Sequence, residues 1–287
     1  MLVALIISFP IVAAFLNALS SILQRYQAGH VEAEDLFRRH FIKSLSKNPK
    51  WVAAFGLQIL AFFFQAAALR KGAMVVVQPL LAVELVFILL ILHFYKGMAV
   101  GKKEWAAILL IIGGLTGMII SAQPKAGTHP FYVSGLIVAS SVVAGIIAVG
   151  IYVVRRTKSS RYRAAVSGVA AGFSFALVAT LTKIVTRQLS HGLLSLVSGW
   201  QVWALFAAGI VSVIMAQNTY GAGPIAVSQP AMMLTEPIIS VIFGIYIFGD
   251  AVNLSPLNLA FALFTGLIAA TGITILGRSK QLRVLAI

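Results

Sequence analysis

The chain has no cysteine, and of one charge sign it has very little: seven Asp and Glu against 22 Lys and Arg in 287 residues. Without cysteine it builds no disulfide framework and no thiolate metal site. Its five histidines, His30, His40, His93, His129 and His191, lie apart, and none pairs at i, i+4 with a carboxylate or another histidine. That spacing offers no zinc motif, so no metal site is expected. No P-loop, dinucleotide fingerprint or nucleophile elbow occurs either. The chain is therefore read as no enzyme, with no cofactor and no ATPase site of its own. Charged residues make up only 10% of it, where a soluble domain carries about 25%. What fills the chain is oil, at 60% hydrophobic residues.

The oil comes in long runs, without the ten-residue alternation of an outer-membrane barrel. Nine runs are long enough to cross a bilayer: 2–22, 51–69, 72–95, 105–122, 132–154, 164–184, 198–220, 224–248 and 257–277. The expected fold is thus an all-α polytopic membrane protein of about nine transmembrane helices, in an inner or plasma membrane. The first basic residue, Arg25, follows the first run instead of preceding it, so that run reads as a retained helix and not as a secretory signal. With the N-terminus outside, only Arg70, Lys71, Lys125, Lys183 and Arg187 of the 22 basic residues fall on the outer side. The other 17 fall inside, which favours N-out and C-in. The net charge of +15 is explained by orientation and needs no nucleic-acid partner. The one long loop, 24–50, is basic and cytoplasmic. Its EAEDLFRRHFIKSLSK stretch is either a plain loop or a surface helix with Phe37, Phe41, Ile42 and Leu45 on one side. Trp51, Trp105, Trp200 and Trp203 fall at span entries, as an interfacial aromatic belt would.

A polar pattern occurs twice. Gln65, Gly72, Gln78-Pro79 and Glu84 return as Gln217, Gly223, Gln229-Pro230 and Glu236. The turn at Arg70-Lys71-Gly72 lies outside and its counterpart at Gly221 to Pro224 lies inside, so the two copies face opposite ways. That is an inverted-topology repeat, with the path for a solute between the halves. The halves are 1–125, with four spans and the basic loop, and 126–287, with five spans; together they form one integral membrane domain.

Several short motifs stand in a familiar order. They are Ala68-Leu69-Arg70-Lys71-Gly72, then Ala222-Gly223-Pro224, then Glu236-Pro237 inside the penultimate span, then Phe248-Gly249-Asp250 at its end. On these, from about residue 10 to 277, the chain resembles the drug/metabolite transporter superfamily in its EamA-like branch. The resemblance implies alternating-access movement of a small organic solute. The usual plan has ten helices with both ends inside; here the first is lacking. Nine spans, an outer N-terminus and ISAQPKAG after span 4 are also similar to the NIPA-type magnesium transporters. Lys96-Gly97 stands where the second half has Gly249-Asp250, so an acidic pair at the two helix ends is absent.

Glu84 lies twelve residues past Gly72 and Glu236 twelve past Pro224, so both fall near mid-membrane. A charged carboxylate there costs about 2.5–3.5 kcal/mol. Each must face a wet cavity, pair, or stay protonated, which makes both candidates for solute or proton binding. Gln65, Gln78, Gln217, Asn218 and Gln229 supply amides that suit a neutral polar or zwitterionic solute, or that bond helix to helix. Gln229 and Glu236 are seven residues apart and share a face, whereas Gln78 and Glu84, six apart, are separated by about 120° on a regular helix. Glu236 is therefore the stronger candidate. Pro79, Pro230 and Pro237 are expected helix kinks. Lys183 is expected to snorkel to the outer interface. Asn17 either lines the path or joins helices. Gly113–Gly117 and Gly168–Gly172 read as packing pairs. The partners expected are a small solute or a cation and the lipid bilayer, with a homodimer left open. The rival readings are a magnesium transporter and a membrane scaffold or lipid-handling protein without transport. Magnesium prefers carboxylates and retained waters, and only two acids lie within the spans.

Overall fold

The computed structural model describes residues 2–28, 48–97, 99–127, 131–189, 192, 198–253 and 255–279. The proposed surface helix within 26–50 lies largely outside the described residues. Among the described residues ten helices follow one another: α1 (Leu2–Ala28), α2 (Pro49–Lys71), α3 (Met74–Leu81), α4 (Glu84–Lys96), α5 (Lys102–Ala122), α6 (Val133–Arg156), α7 (Ser160–Gln188), α8 (Trp200–Gly221), α9 (Ile225–Phe248) and α10 (Pro256–Gly277). Helices α3 and α4 are two pieces of one apolar span, Met74–Tyr95. Among the described residues, nine helical stretches are long and apolar enough to cross a membrane.

Caps mark several helix ends. Asn48 starts α2 by accepting from the amides of Lys50 (3.0 Å) and Trp51 (3.4 Å), with Pro49 at the first helical position. Ser159 accepts from the Tyr162 amide at the start of α7. Gly97 and Gly249 end α4 and α9 in the same left-handed conformation, at φ 64° and 66°. Only glycine adopts that cap without penalty.

The outside of the bundle is apolar and the inside carries the polar groups. Leu109, Phe206, Leu257 and Leu267 are each at least two-thirds exposed, while Gln24, Gln78, Lys183, Gln217, Gln229 and Asp250 are buried. Lipid supplies no partner for a polar group, so this inversion is what a bilayer requires. Trp105, Trp200 and Trp203 are exposed, as a belt requires; Trp51 is instead buried and stacked on Phe55 at 5.3 Å.

Helix α1 packs on α2 and on α3–α4, as α7 packs on α8 and on α9. Helices α5 and α10 pack against each other, and α3 lies against α9. Two of these seams depend on glycine. A Cβ on Gly172 would lie 2.7 Å from Thr235 Cβ and 2.9 Å from the Met232 carbonyl oxygen, so α7 and α9 touch backbone to backbone there. Gly168 makes the same approach one turn earlier. In the α5–α10 seam the close residues are Gly114 and Gly117, whereas Gly113 faces open space. The Gly113–Gly117 pair is thus half of what its spacing suggests.

Candidate functional site

Proline has no amide hydrogen, so Pro79 cannot donate to the Val75 carbonyl one turn back. Three residues on, the helix tightens: the Ala82 amide bonds the Pro79 carbonyl at 3.1 Å and the Val83 amide bonds Leu80 at 3.2 Å. There α3 ends, and Glu84 opens α4 at mid-span. The expected kink is a break, placed after Pro79 and not at it. A carboxylate in the first turn of α4 is favoured by the amides and dipole of that half-helix. Ser21 of α1 donates its hydroxyl to Glu84 Oε1 at 2.7 Å.

Helix α9 meets the same level differently. It runs unbroken through Pro230 and Pro237. Glu236 sits at its middle, deep in the protein yet partly accessible, and close enough to Glu84 for their charges to interact. The two glutamates come together from different halves of the chain, one at a helix break and one in a continuous helix. Gln78 and Gln229 are both buried to 1% exposure, on α3 and α9. Neither amide atom of Gln78 has a hydrogen-bond partner.

Gln217 lies elsewhere. Its Nε2 donates to Gln24 Oε1 at 2.7 Å, and Gln24 Nε2 donates to Gln58 Oε1 (2.9 Å) and Ser20 Oγ (2.8 Å). This amide chain ties α1, α2 and α8 together near the C-terminal ends of α1 and α8. Asn218 beside it donates to the Ile214 carbonyl of its own helix at 2.6 Å. Gln65 is half-buried on α2, two turns beyond Gln58. Of the expected cluster of seven, Glu84 and Glu236 come near each other at mid-span, Gln217 joins an amide group at one end, and Gln65 belongs to neither. Gln24 and Gln58 belong to no repeated motif. Their one sequence signal is the Ser20–Gln24 pair at i, i+4 in an apolar helix.

Lys183 does not snorkel. Helix α7 continues past it to Gln188, which keeps it inside, fully buried. It is held there by Asp250, fully buried too, with Nζ at 2.8 and 3.1 Å from the carboxylate oxygens. The Met74 amide also donates to Asp250, at 2.7 Å, and the Gly127 amide at 2.8 Å. One carboxylate thus joins the ends of α7, α9 and α3 and the α5–α6 connection. The ammonium lies 4.6 Å from the Phe248 ring centre, and Arg187 covers the same ring at 5.1 Å while donating to the Gly127 carbonyl. Around this pair the two connections are stitched together. Lys125 and Ala251 exchange both backbone hydrogen bonds, and the Asn253 amide bonds the Ala122 carbonyl at 2.8 Å. The Phe248-Gly249-Asp250 motif thus holds one end of the bundle shut.

No family model matches the chain, and no solved structure matches it. It is similar to an uncharacterized protein of Corynebacterium glutamicum, 27% identical over 253 residues, which cover 86% of this chain and 85% of that protein.

Proposed function

We propose that this protein is a membrane transporter that moves a small solute by alternating access, with the solute held between two inverted repeats at Glu84, Glu236 and Gln78. One observation carries the reading: a membrane span broken at its middle, with Glu84 at the start of the second piece and within electrostatic reach of Glu236 on α9. Interrupted helices that expose polar backbone at mid-membrane are how secondary transporters build solute sites.

Three further features support it. The left-handed caps Gly97 and Gly249 stand 152 residues apart, the same offset as Gln65 and Gln217. The packing of α1 on α2 and α3–α4 parallels that of α7 on α8 and α9. Both fit the two-repeat plan that the resemblance to the EamA-like transporters implies. The Lys183–Asp250 seal closes what the charge bias makes the outer end. In this reading the seal is broken when the site opens outward. The membrane would be the inner or plasma membrane, with basic loops inside.

The reading is tested by solute exchange across proteoliposomes, using a labelled solute found by thermal-shift screening of the purified protein. Glu236→Gln is expected to cut exchange by at least about tenfold, the effect of losing roughly 1.4 kcal/mol of binding. Glu84→Gln should cut it less, since Glu84 also anchors Ser21. Normal exchange in both variants contradicts the reading. Magnesium uptake that both variants abolish, with no organic solute carried, favours the ion-transport alternative.

A further inference from the structure

Helices α3 and α9 run antiparallel, because Asp250 just past the end of α9 binds the amide of Met74 at the start of α3. Their register is fixed near that end, where a Cβ on Gly244 would lie 3.0 Å from Met74 Cβ. Residues four apart stack on one helix face. One turn inward, Met74 is followed by Gln78 and Gly244 by Ser240. A second turn brings Ala82, which caps α3, and Glu236 on α9. Gln78, Ser240 and Glu236 therefore share one facing stripe.

The layer they occupy lies between two apolar cores. On one side Met74 and Val77 cluster with Phe243 and Ile247; on the other Ala82 and Leu85 cluster with Met233. Gln78 is 1% exposed and Ser240 0%. Gln78 Nε2, Gln78 Oε1 and Ser240 Oγ all lack hydrogen-bond partners. Ser228 Oγ, on the same helix, is the other buried hydroxyl without a partner among the described residues. The hydroxyls of Ser174, Thr180, Ser212 and Thr235 each bond a carbonyl of their own helix. A buried polar atom left unmade costs about 1–3 kcal/mol, so three together in one layer mark a place for something that binds.

Resting on the transport reading above, we propose that Gln78 and Ser240, with Glu236 one turn along, form a solute subsite for an uncharged group that both donates and accepts hydrogen bonds, a hydroxyl or a carboxamide. The orphan atoms comprise an acceptor, an amide donor and a hydroxyl that serves as either. A hydroxyl or carboxamide satisfies all three. A bare cation satisfies the oxygens and leaves Gln78 Nε2 without an acceptor. An anion meets Glu236 on the same stripe, while the buried ammonium of Lys183 is committed to Asp250.

The test is thermal unfolding of the purified full chain, alone and with low millimolar probes. The uncharged probes are mannitol, myo-inositol and nicotinamide; the charged ones are choline, succinate and magnesium. The variants are Gln78→Leu and Ser240→Ala. At least one uncharged probe should raise the wild-type midpoint, with its apparent affinity at least roughly tenfold weaker in each variant. Without probe, Gln78→Leu should melt no lower than wild type, since it removes an unsatisfied amide. Four results overturn the subsite: no uncharged probe acts, only charged probes act, the uncharged shift survives in both variants, or ligand-free Gln78→Leu melts well below wild type. Proteoliposome exchange separates this from the transport reading. Exchange of a charged solute alone sinks the subsite and leaves transport standing. Binding of an uncharged probe that is never exchanged does the reverse.

Discussion

Replacing Lys183 by Met would leave the Asp250 charge buried with two backbone amides and no ammonium. Breaking a buried pair from one side costs about 3–5 kcal/mol, because the remaining charge keeps its desolvation penalty. We expect Lys183→Met to lose stability on that scale in denaturant or thermal unfolding, and Lys183→Met with Asp250→Asn to recover part of it. A double-variant loss equal to the sum of the Lys183→Met and Asp250→Asn losses would mean that the pair is not coupled. The sequence showed Lys183 only as a cation near a helix end, and Asp250 only as a residue of the Phe-Gly-Asp motif. Their union rests on a separation of 67 residues, which no local pattern reports. Glu84 and Glu236 were legible for the opposite reason. A carboxylate in the middle of an apolar run stands out without any partner in view. A smaller test belongs at Gly172, where a Cβ would press on Thr235 and the Met232 carbonyl. Gly172→Ala should destabilise by about 1–3 kcal/mol through overpacking. An unchanged midpoint would show that α7 and α9 separate at little cost.

The helices themselves were readable because each apolar run is about one bilayer long and ends in Gly, Pro or charge. The break in the third span was not. Pro79 and Pro230 occupy matching places, yet α9 is continuous and the α3–α4 span is broken. Proline removes one donor in both, so the difference lies outside the residue type; the ring of Pro230 lies against Gly277 of α10. Pro79→Ala returns a donor to the Val75 carbonyl. It should raise thermal stability, since proline costs about 3 kcal/mol in a helix interior. If the break presents the site, the same variant should carry solute more slowly. Faster or unchanged exchange in a stabilised Pro79→Ala protein would detach the break from function.

Across the whole molecule, the absence of cysteine becomes an asset. Single cysteines introduced at Lys71 and at Arg155, both exposed, report sidedness without background. With the N-terminus outside, an impermeant thiol reagent added to intact cells should label Lys71→Cys and spare Arg155→Cys. The reverse pattern would invert the orientation and move the Lys183–Asp250 seal to the inner face. Charge counting proposes this orientation because basic loops favour the inside. It could not reveal that the α5–α6 and α9–α10 connections are bonded to each other, since backbone hydrogen bonds such as Lys125 to Ala251 leave no mark on residue type.

That seam offers the most direct test of alternating access. Lys125 and Ala251 exchange both backbone bonds, a pairing that holds Cα atoms about 5.5 Å apart, within the range a disulfide spans. The measurement is solute exchange by the Lys125→Cys, Ala251→Cys protein in proteoliposomes, oxidised and then reduced. Oxidation is expected to stop exchange and a thiol reductant to restore it. Exchange at the wild-type rate in the fully oxidised protein would contradict alternating access.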